Sequence, residues 1–326
     1  MRISQRSWLA ALALVCAVIA NASPVWAEYP ARPIHIVVTY LAGGSADTLA
    51  RIVGQKLEAA WGHPVVVENR AGANGNIGAE VVAKSPPDGY TIMFTPPSPL
   101  AINMFLYKSM PFDPQTAFAP ISVLGLMPNI LVVGANSPFR TVHELVDYAQ
   151  AHPGKITYGS QGVGSTPHLT GAMLVIATGI HVVHVPYRGF PPLLVDLLGS
   201  RLDFAFADPT NALPQITQGQ LRALGVASAK RFFALPDTPT LIEAGVPDFL
   251  SATWMSFAAP AGMPPDIVEQ WHNALVKIVR MPDVKSKLAD LGLETWASTP
   301  KEMHQLMLDE MKRWNDVIRM AGVEKQ

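Results

Sequence analysis

Apolar and polar positions along this chain alternate between the period of a strand and that of a helix. Pro33 to Tyr40 (PIHIVVTY) is a run of β-branched and apolar residues that predicts a strand. After a turn at Ala42 to Ser45, Leu49, Ile52, Val53 and Leu57 recur at helical spacing. They predict an amphipathic helix opened by Asp47 and stopped by Gly62. Pro64 to Glu68 predicts a second strand. Ile77 to Lys84 predicts a short helix after the Gly/Asn loop 69–75, and Tyr90 to Thr95 a third strand after the turn Ser85 to Gly89. The order β-α-β-α-β favours a parallel sheet.

The pattern then restarts. Ile130 to Gly134, Ile156 to Tyr158, Val182 to Val185, Asp203 to Ala207 and Leu221 to Ala227 read as strands. Between them lie helical segments from Thr141 to about Ala151, from Pro167, over Pro191 to Leu198, and from about Thr210 to Gln218. Thr141-Val-His-Glu144 has the form of a capping box. Thr253 to Ala258 reads as a strand returning to the first unit, and three helical segments follow Pro260 to Pro265. The expected fold class is therefore α/β with two lobes and two crossovers. Residues 28–127 and 251–326 would form lobe 1, and residues 128–250 lobe 2.

Residues 1–27 stand apart. Arg2 and Arg6 precede the apolar run Leu9 to Ala20, and Val25-Trp26-Ala27 has the small-residue spacing of a signal-peptidase site. The run is shorter than the roughly 20 residues a spanning helix needs. The expectation is a signal peptide cleaved near Ala27 and a periplasmic protein. The chain's single cysteine, Cys16, lies inside this leader, and Val15 before it does not fit a lipoprotein site. The exported part thus has no thiol for a disulfide, a nucleophile or a thiolate metal site. A chain of about 300 residues buries roughly 75% of its unfolded surface and needs no disulfide. Without the leader, 22 basic residues face 25 acidic ones, a net charge of −3 with no basic cluster, so nucleic acid is not an expected partner.

Chemistry is expected in two Gly- and Ser-rich loops, each between a strand and a helix: Ala42-Gly43-Gly44-Ser45 and Gly162-Val163-Gly164-Ser165-Thr166. In open α/β sheets such loops lie at the carboxyl ends of strands, where ligands bind. Glycine permits close backbone approach. The helix start adds free N–H groups and a positive dipole end, making an anion site without a cationic side chain. Either loop alone could equally be an ordinary tight turn; two in separate lobes could face one cleft. Nucleotide and hydrolase signatures fail. Gly72, Gly75 and Gly78 have the wrong spacing for a dinucleotide fingerprint, Gly164-Ser165-Thr166 lacks the P-loop lysine, and no G-x-S-x-G occurs. The nine histidines form no metal pattern, so no metal or cofactor is expected.

Single residues carry open alternatives. His168 could position the second loop or simply begin its helix. Asp47 could orient the first loop or cap its helix, with the cap favoured. Arg188 could hold a carboxylate or pair with Asp196 or Asp203, and Tyr187 beside it could form an aromatic wall. Asp208 could read a ligand's amine or hydroxyl, or cap the helix after Pro209.

Along nearly the whole exported length the chain resembles the tripartite tricarboxylate transporter receptors, the Bug family of extracytoplasmic solute-binding proteins. The resemblance is carried by Tyr29-Pro-Ala-Arg-Pro-Ile34, Ala42-Gly-Gly44 with Asp47 and Ala50-Arg51, and Val67-Glu-Asn-Arg-Ala-Gly-Ala73. It continues in Ser85-Pro-Pro-Asp-Gly-Tyr90, Pro153-Gly-Lys155, Tyr158-Gly-Ser160, Gly164-Ser165 with His168-Leu169, His184-Val-Pro-Tyr-Arg-Gly189, Leu221-Arg-Ala-Leu224, Leu235-Pro-Asp237 and Glu243-Ala-Gly245. It implies a two-lobed periplasmic-binding-protein fold, a Venus flytrap of type II-like connection. It also implies capture of a small organic carboxylate by Gly43, Gly44, Ser45, Ser160, Gly162, Ser165 and Thr166, with Asp208 at the ligand's far end. The implied partner is a two-subunit membrane permease, and the expected state is a monomer. The sequence departs from the family pattern at Thr39-Tyr40-Leu41, at Pro209 and in the proline-rich Thr95 to Pro99, which includes Ser98. These positions are expected to line the cleft, so the family does not specify the ligand. A ligand-sensing module for a two-component system and, less favoured, a cleft enzyme are the rival readings.

Overall fold

The computed structural model describes residues 29–326. The leader and its cleavage site lie outside them. The first sheet contains β1 (Ile34–Val38), β2 (Val65–Asn69), β3 (Thr91–Thr95), β4 (Phe118–Pro128), β10 (Ala252–Pro260) and β11 (Glu294–Thr295), in the order β11-β4-β10-β3-β1-β2. The second contains β5 (Ile130–Gly134), β6 (Ile156–Ser160), β7 (Val182–Pro186), β8 (Phe204–Ala207) and β9 (Leu221–Val226), in the order β7-β6-β8-β5-β9. Helices of the first lobe are α1 (Ser45–Trp61), α2 (Asn76–Ala83), α3 (Asn103–Leu106), α8 (Pro265–Arg280), α9 (Pro282–Asp290) and α10 (Pro300–Met320). The second lobe carries α4 (Val142–Ala151), α5 (Thr166–Thr178), α6 (Phe190–Leu198) and α7 (Pro209–Thr217).

The first three strands pair in parallel, as their β-α-β-α-β order predicts, and antiparallel strands make both sheets mixed. β1 runs parallel to β2 and β3, where helical crossovers join the strands. β10 lies antiparallel between β3 and β4. In the second sheet β6 is parallel to β7 and β8, whereas β5 is antiparallel to β8 and β9. The sequence pattern also missed β4, because Pro120, Gly125 and Pro128 read as turn punctuation. The strand tolerates them near the sheet edge: its outer neighbour β11 pairs only at Leu126 and Gly125.

The apolar stripe of α1 does what its spacing predicts. Leu49, Val53 and Leu57 are fully buried against Ile34, Ile36 and Val38 of β1 and against Trp271 of α8. Burying each such side chain stabilises the fold by about 1.5–3 kcal/mol. Gly62 ends the helix in the left-handed conformation, φ 69°, and its N–H donates to Glu58 O. A separate core in the second lobe joins Leu131, Val133, Tyr158, Phe204, Phe206 and Phe249.

The chain passes from the first sheet to the second at Asn129 and returns at Ser251. These two residues and Ala227 close a ring of backbone hydrogen bonds. Asn129 N–H donates to Ser251 O, Ser251 N–H to Ala227 O, and Ala227 N–H to Asn129 O, each at 2.9 Å. The C-terminal helix α10 bridges the lobes, with Trp314 and Ile318 packed on Leu169 of α5.

Candidate functional site

The carboxyl ends of β1 and β6 lead into the two expected loops, and the two lobes touch there. Ser98 Oγ of the first lobe donates to Gly164 O of the second at 3.3 Å. Leu41 of the first loop faces Gly189 of the second lobe. Both loops therefore lie at the boundary between the lobes.

In the first loop Gly43 adopts φ +80° and its N–H donates to Asp47 Oδ2 at 2.9 Å. Asp47 also accepts from Arg51 Nε at 2.9 Å. Although burial opposes it, this pairing and the Gly43 bond hold the Asp47 carboxyl below its usual range. The favoured cap reading of Asp47 is thus corrected: the N-cap is Gly44, which makes no side-chain cap, and Asp47 orients the loop. The Gly43 N–H is already occupied. Ser45, the first residue of α1, is 5% exposed, and its Oγ has no hydrogen-bond partner.

The second loop is tied together from inside. Ser165 is the N-cap of α5: its Oγ donates to Gly162 O at 2.8 Å and accepts from His168 N–H at 3.3 Å. Ser160 Oγ lies 2.7 Å from His184 Nε2 and accepts from Gly162 N–H at 3.3 Å. The hydroxyls expected to hold ligand at Ser160 and Ser165 are therefore engaged in the loop, because each has a partner within its own lobe. Gly162, at φ +128°, makes the turn between them. Thr166 differs. It is 2% exposed, starts α5, and its Oγ1 has no partner.

His168 takes the positioning role rather than the bland one. Its Nδ1 accepts from Gly164 N–H at 3.0 Å, which assigns the neutral ring with its proton on Nε2. Burial and the neighbouring His184, stacked at 4.0 Å, push its pKa down to about 3. His184 is pushed down to about 4 by burial.

Tyr40 of the first lobe, half-buried, and Asp208 of the second, buried, lie near one another. Tyr40 Oη donates to Asn74 Oδ1 at 2.6 Å. Burial pushes its phenol up, with Ser98 and Asp208 both close enough to act on it. Asp208 stands at the N-cap of α7 but makes no side-chain cap; its Oδ1 accepts from Thr253 Oγ1 at 2.6 Å. This corrects the cap alternative. Burial raises the Asp208 carboxyl, opposed by Thr253 and Gln161. The Gln161 amide acts on Asp208, yet its Nε2 makes no hydrogen bond of normal geometry.

Arg188 is exposed and pairs with neither expected aspartate. Tyr187 Oη and Arg201 bind Asp196, and Thr157 binds Asp203. Tyr187 thus has its hydroxyl tied within the second lobe. The residues missed by sequence reasoning are Asn74, Asn103, Gln161 and Thr253. The Gly72 to Gly78 segment drew notice only as a failed nucleotide motif, although Asn74 at φ +50° marks a special turn there. Gln161 sits within the quoted loop but is neither glycine nor hydroxyl.

Two α/β lobes joined by a pair of crossing strands, with helix starts from both lobes at the cleft, define a solute-binding receptor. Residues 49–323 match the model of the tripartite tricarboxylate transporter family receptor. Solved structures are similar over about nine-tenths of the chain. That of R. palustris Rpa4515 with adipate has a TM-score of 0.88 at 34% identity, covering 92% of this chain and 100% of that one. The periplasmic binding protein BugD has a TM-score of 0.85 at 34% identity, covering 91% and 100%. MatC (Rpa3494) from Rhodopseudomonas palustris with bound malate has a TM-score of 0.83 at 29% identity, covering 89% and 100%. The chain belongs to the tripartite tricarboxylate transporter receptor family, whose members are periplasmic binding proteins and not enzymes.

Proposed function

We propose that this receptor closes on a small organic carboxylate and delivers it to a membrane permease of one large and one small subunit. The observation that carries the reading is the pair of orphan hydroxyls: Ser45 Oγ and Thr166 Oγ1 are buried at the first residues of α1 and α5 without partners. Leaving a buried donor unsatisfied costs about 1–3 kcal/mol, a cost that a ligand accepting from both hydroxyls removes. Both sit at helix N-termini, where the dipole and free N–H groups favour an anion. Structures of relatives with adipate and with malate support a carboxylate as that anion.

The ligand-binding set we propose is the backbone N–H groups of Ser45, Val163 and Thr166, the Ser45 and Thr166 hydroxyls, and a far wall of Tyr40, Ser98, Gln161 and Asp208. Asp47 and His168 hold the loops in shape. The lobes move about Asn129 and Ser251. The exported protein begins at Glu28, after cleavage of the leader, and works as a monomer in the periplasm. Calorimetric titration with mono-, di- and tricarboxylates and aromatic acids tests capture: saturable binding of at least one acid is expected, and none across the panel contradicts it. Uptake of the bound acid by cells holding both permease subunits, lost without this chain, tests delivery.

A further inference from the structure

The second loop does more than face the cleft; it plugs into the opposite lobe. Gly164 is buried with φ +80°. A Cβ built on it would collide with Leu106 Cδ1 and lie 2.9 Å from Asn74 Nδ2, both in the first lobe. Its carbonyl accepts the Ser98 hydroxyl. A network of side-chain hydrogen bonds shapes the recess that receives it. Asn103, fully buried, donates through Nδ2 to Asn74 O at 2.9 Å and to Asn76 Oδ1 at 2.6 Å, and its Oδ1 accepts from Asn74 Nδ2 at 2.8 Å. Asn74 in turn accepts from Tyr40. These groups come from three separate stretches of the first lobe, and their polar ends are satisfied by one another.

We propose that Asn74, Ser98, Asn103 and Leu106 form a socket for Gly164, and that seating of Gly164 in this socket sets how long the closed receptor keeps its ligand. The inference rests on the reading that the cleft captures an acid. The loop that carries Thr166 and the α5 N-terminus is the loop that plugs the socket. Closure and anion capture are therefore coupled through one rigid segment, and His168 transmits the coupling by holding Gly164 N–H. Only glycine fits, both for its φ and for the space. Asn103 and Asn74 are positioning residues: they shape the recess and touch no ligand.

Nitroxide labels at Ile77→Cys on α2 and Val195→Cys on α6, both exposed, report the distance between lobes in an exported chain with no other cysteine. Pulsed electron resonance is recorded without ligand and with adipate, malate and each acid of the panel. The wild type should populate a short distance. Gly164→Ala should lower that population, and speed release of a bound acid in stopped flow, by roughly 10- to 100-fold. Adding Leu106→Ala should restore part of it. Gly154→Ala, with a similar φ of +71° but open space around it, is the control and should behave as wild type. The socket is overturned if Gly164→Ala closes as well as wild type, if Gly154→Ala opens as much, or if wild type never shows the short distance. Closure differences without heat from any acid would instead overturn the carboxylate reading and leave the socket standing.

Discussion

Thr253 Oγ1 donates a 2.6 Å hydrogen bond to Asp208 Oδ1, joining β10 of the first lobe to the end of β8 in the second. Both side chains are buried. Thr253→Val keeps the shape and removes the donor, leaving a buried acceptor unpaired. We expect a loss of about 1–3 kcal/mol in stability, read as a shift of the urea midpoint at unchanged slope. A midpoint equal to wild type would show that the bond contributes nothing.

Asp208 also predicts a pH effect. Its folded-state pKa is raised by burial. The folded chain therefore holds this proton when the unfolded chain has lost it, and the group's contribution declines as pH rises above the ordinary aspartate value. Asp208→Asn should remove that decline, so its stability relative to wild type should improve between pH 4 and pH 7. Parallel urea melts at the two pH values check this, and a parallel loss in both proteins would contradict it.

The stacked pair His168 and His184 acts in the opposite direction. Both have folded pKa values depressed, to about 3 and about 4, below the unfolded value near 6.5. Their contribution is complete above about pH 6.5 and is lost as pH falls, because the unfolded state then binds the protons. Each should cost up to about 1.4 kcal/mol per pH unit between roughly pH 6.5 and pH 4. His184→Gln, which keeps a hydrogen-bonding partner for Ser160, should lose less stability from pH 7.5 to pH 5 than wild type does. Equal losses would sink the assignment.

The hydroxyls should separate into two kinds. Thr166→Val removes a free donor to the anion and should weaken acid binding by about 10- to 150-fold, the equivalent of about 1.5–3 kcal/mol, with little change in melting. Ser165→Ala removes an N-cap instead and should cost about 1 kcal/mol of stability. Calorimetry and melts on the same two samples distinguish them. The reverse pattern would make Ser165 the ligand donor.

The two loops were legible in the sequence because their signal is local: glycines and hydroxyls between a predicted strand and a predicted helix. Which of their hydroxyls are free was not. Whether Ser160 is available depends on His184, 24 residues away, and no periodicity reports that. Asn74 and Asn103 meet across 29 residues, and Thr253 reaches Asp208 across 45. Such partners follow from how the sheets stack. The same applies to β4, whose prolines argue against a strand until β10 is seen to pair with it. Local chemistry read well for Leu49, Val53, Leu57 and Gly62, where helix period and cap dictate the outcome.

In the proposed site, backbone amides at the starts of α1 and α5 hold the acid, without an arginine clamp. Gly44 has φ −85°, which any residue can adopt, and a Cβ there meets nothing closer than Leu41 O at 3.4 Å. Gly44→Val should therefore fold while blocking approach to the α1 N-terminus. Calorimetric titration of Gly44→Val and Arg188→Gln against an acid the wild type binds is the direct test. Gly44→Val should abolish binding, and Arg188→Gln should retain most of it. Binding that survives Gly44→Val and disappears in Arg188→Gln would contradict it.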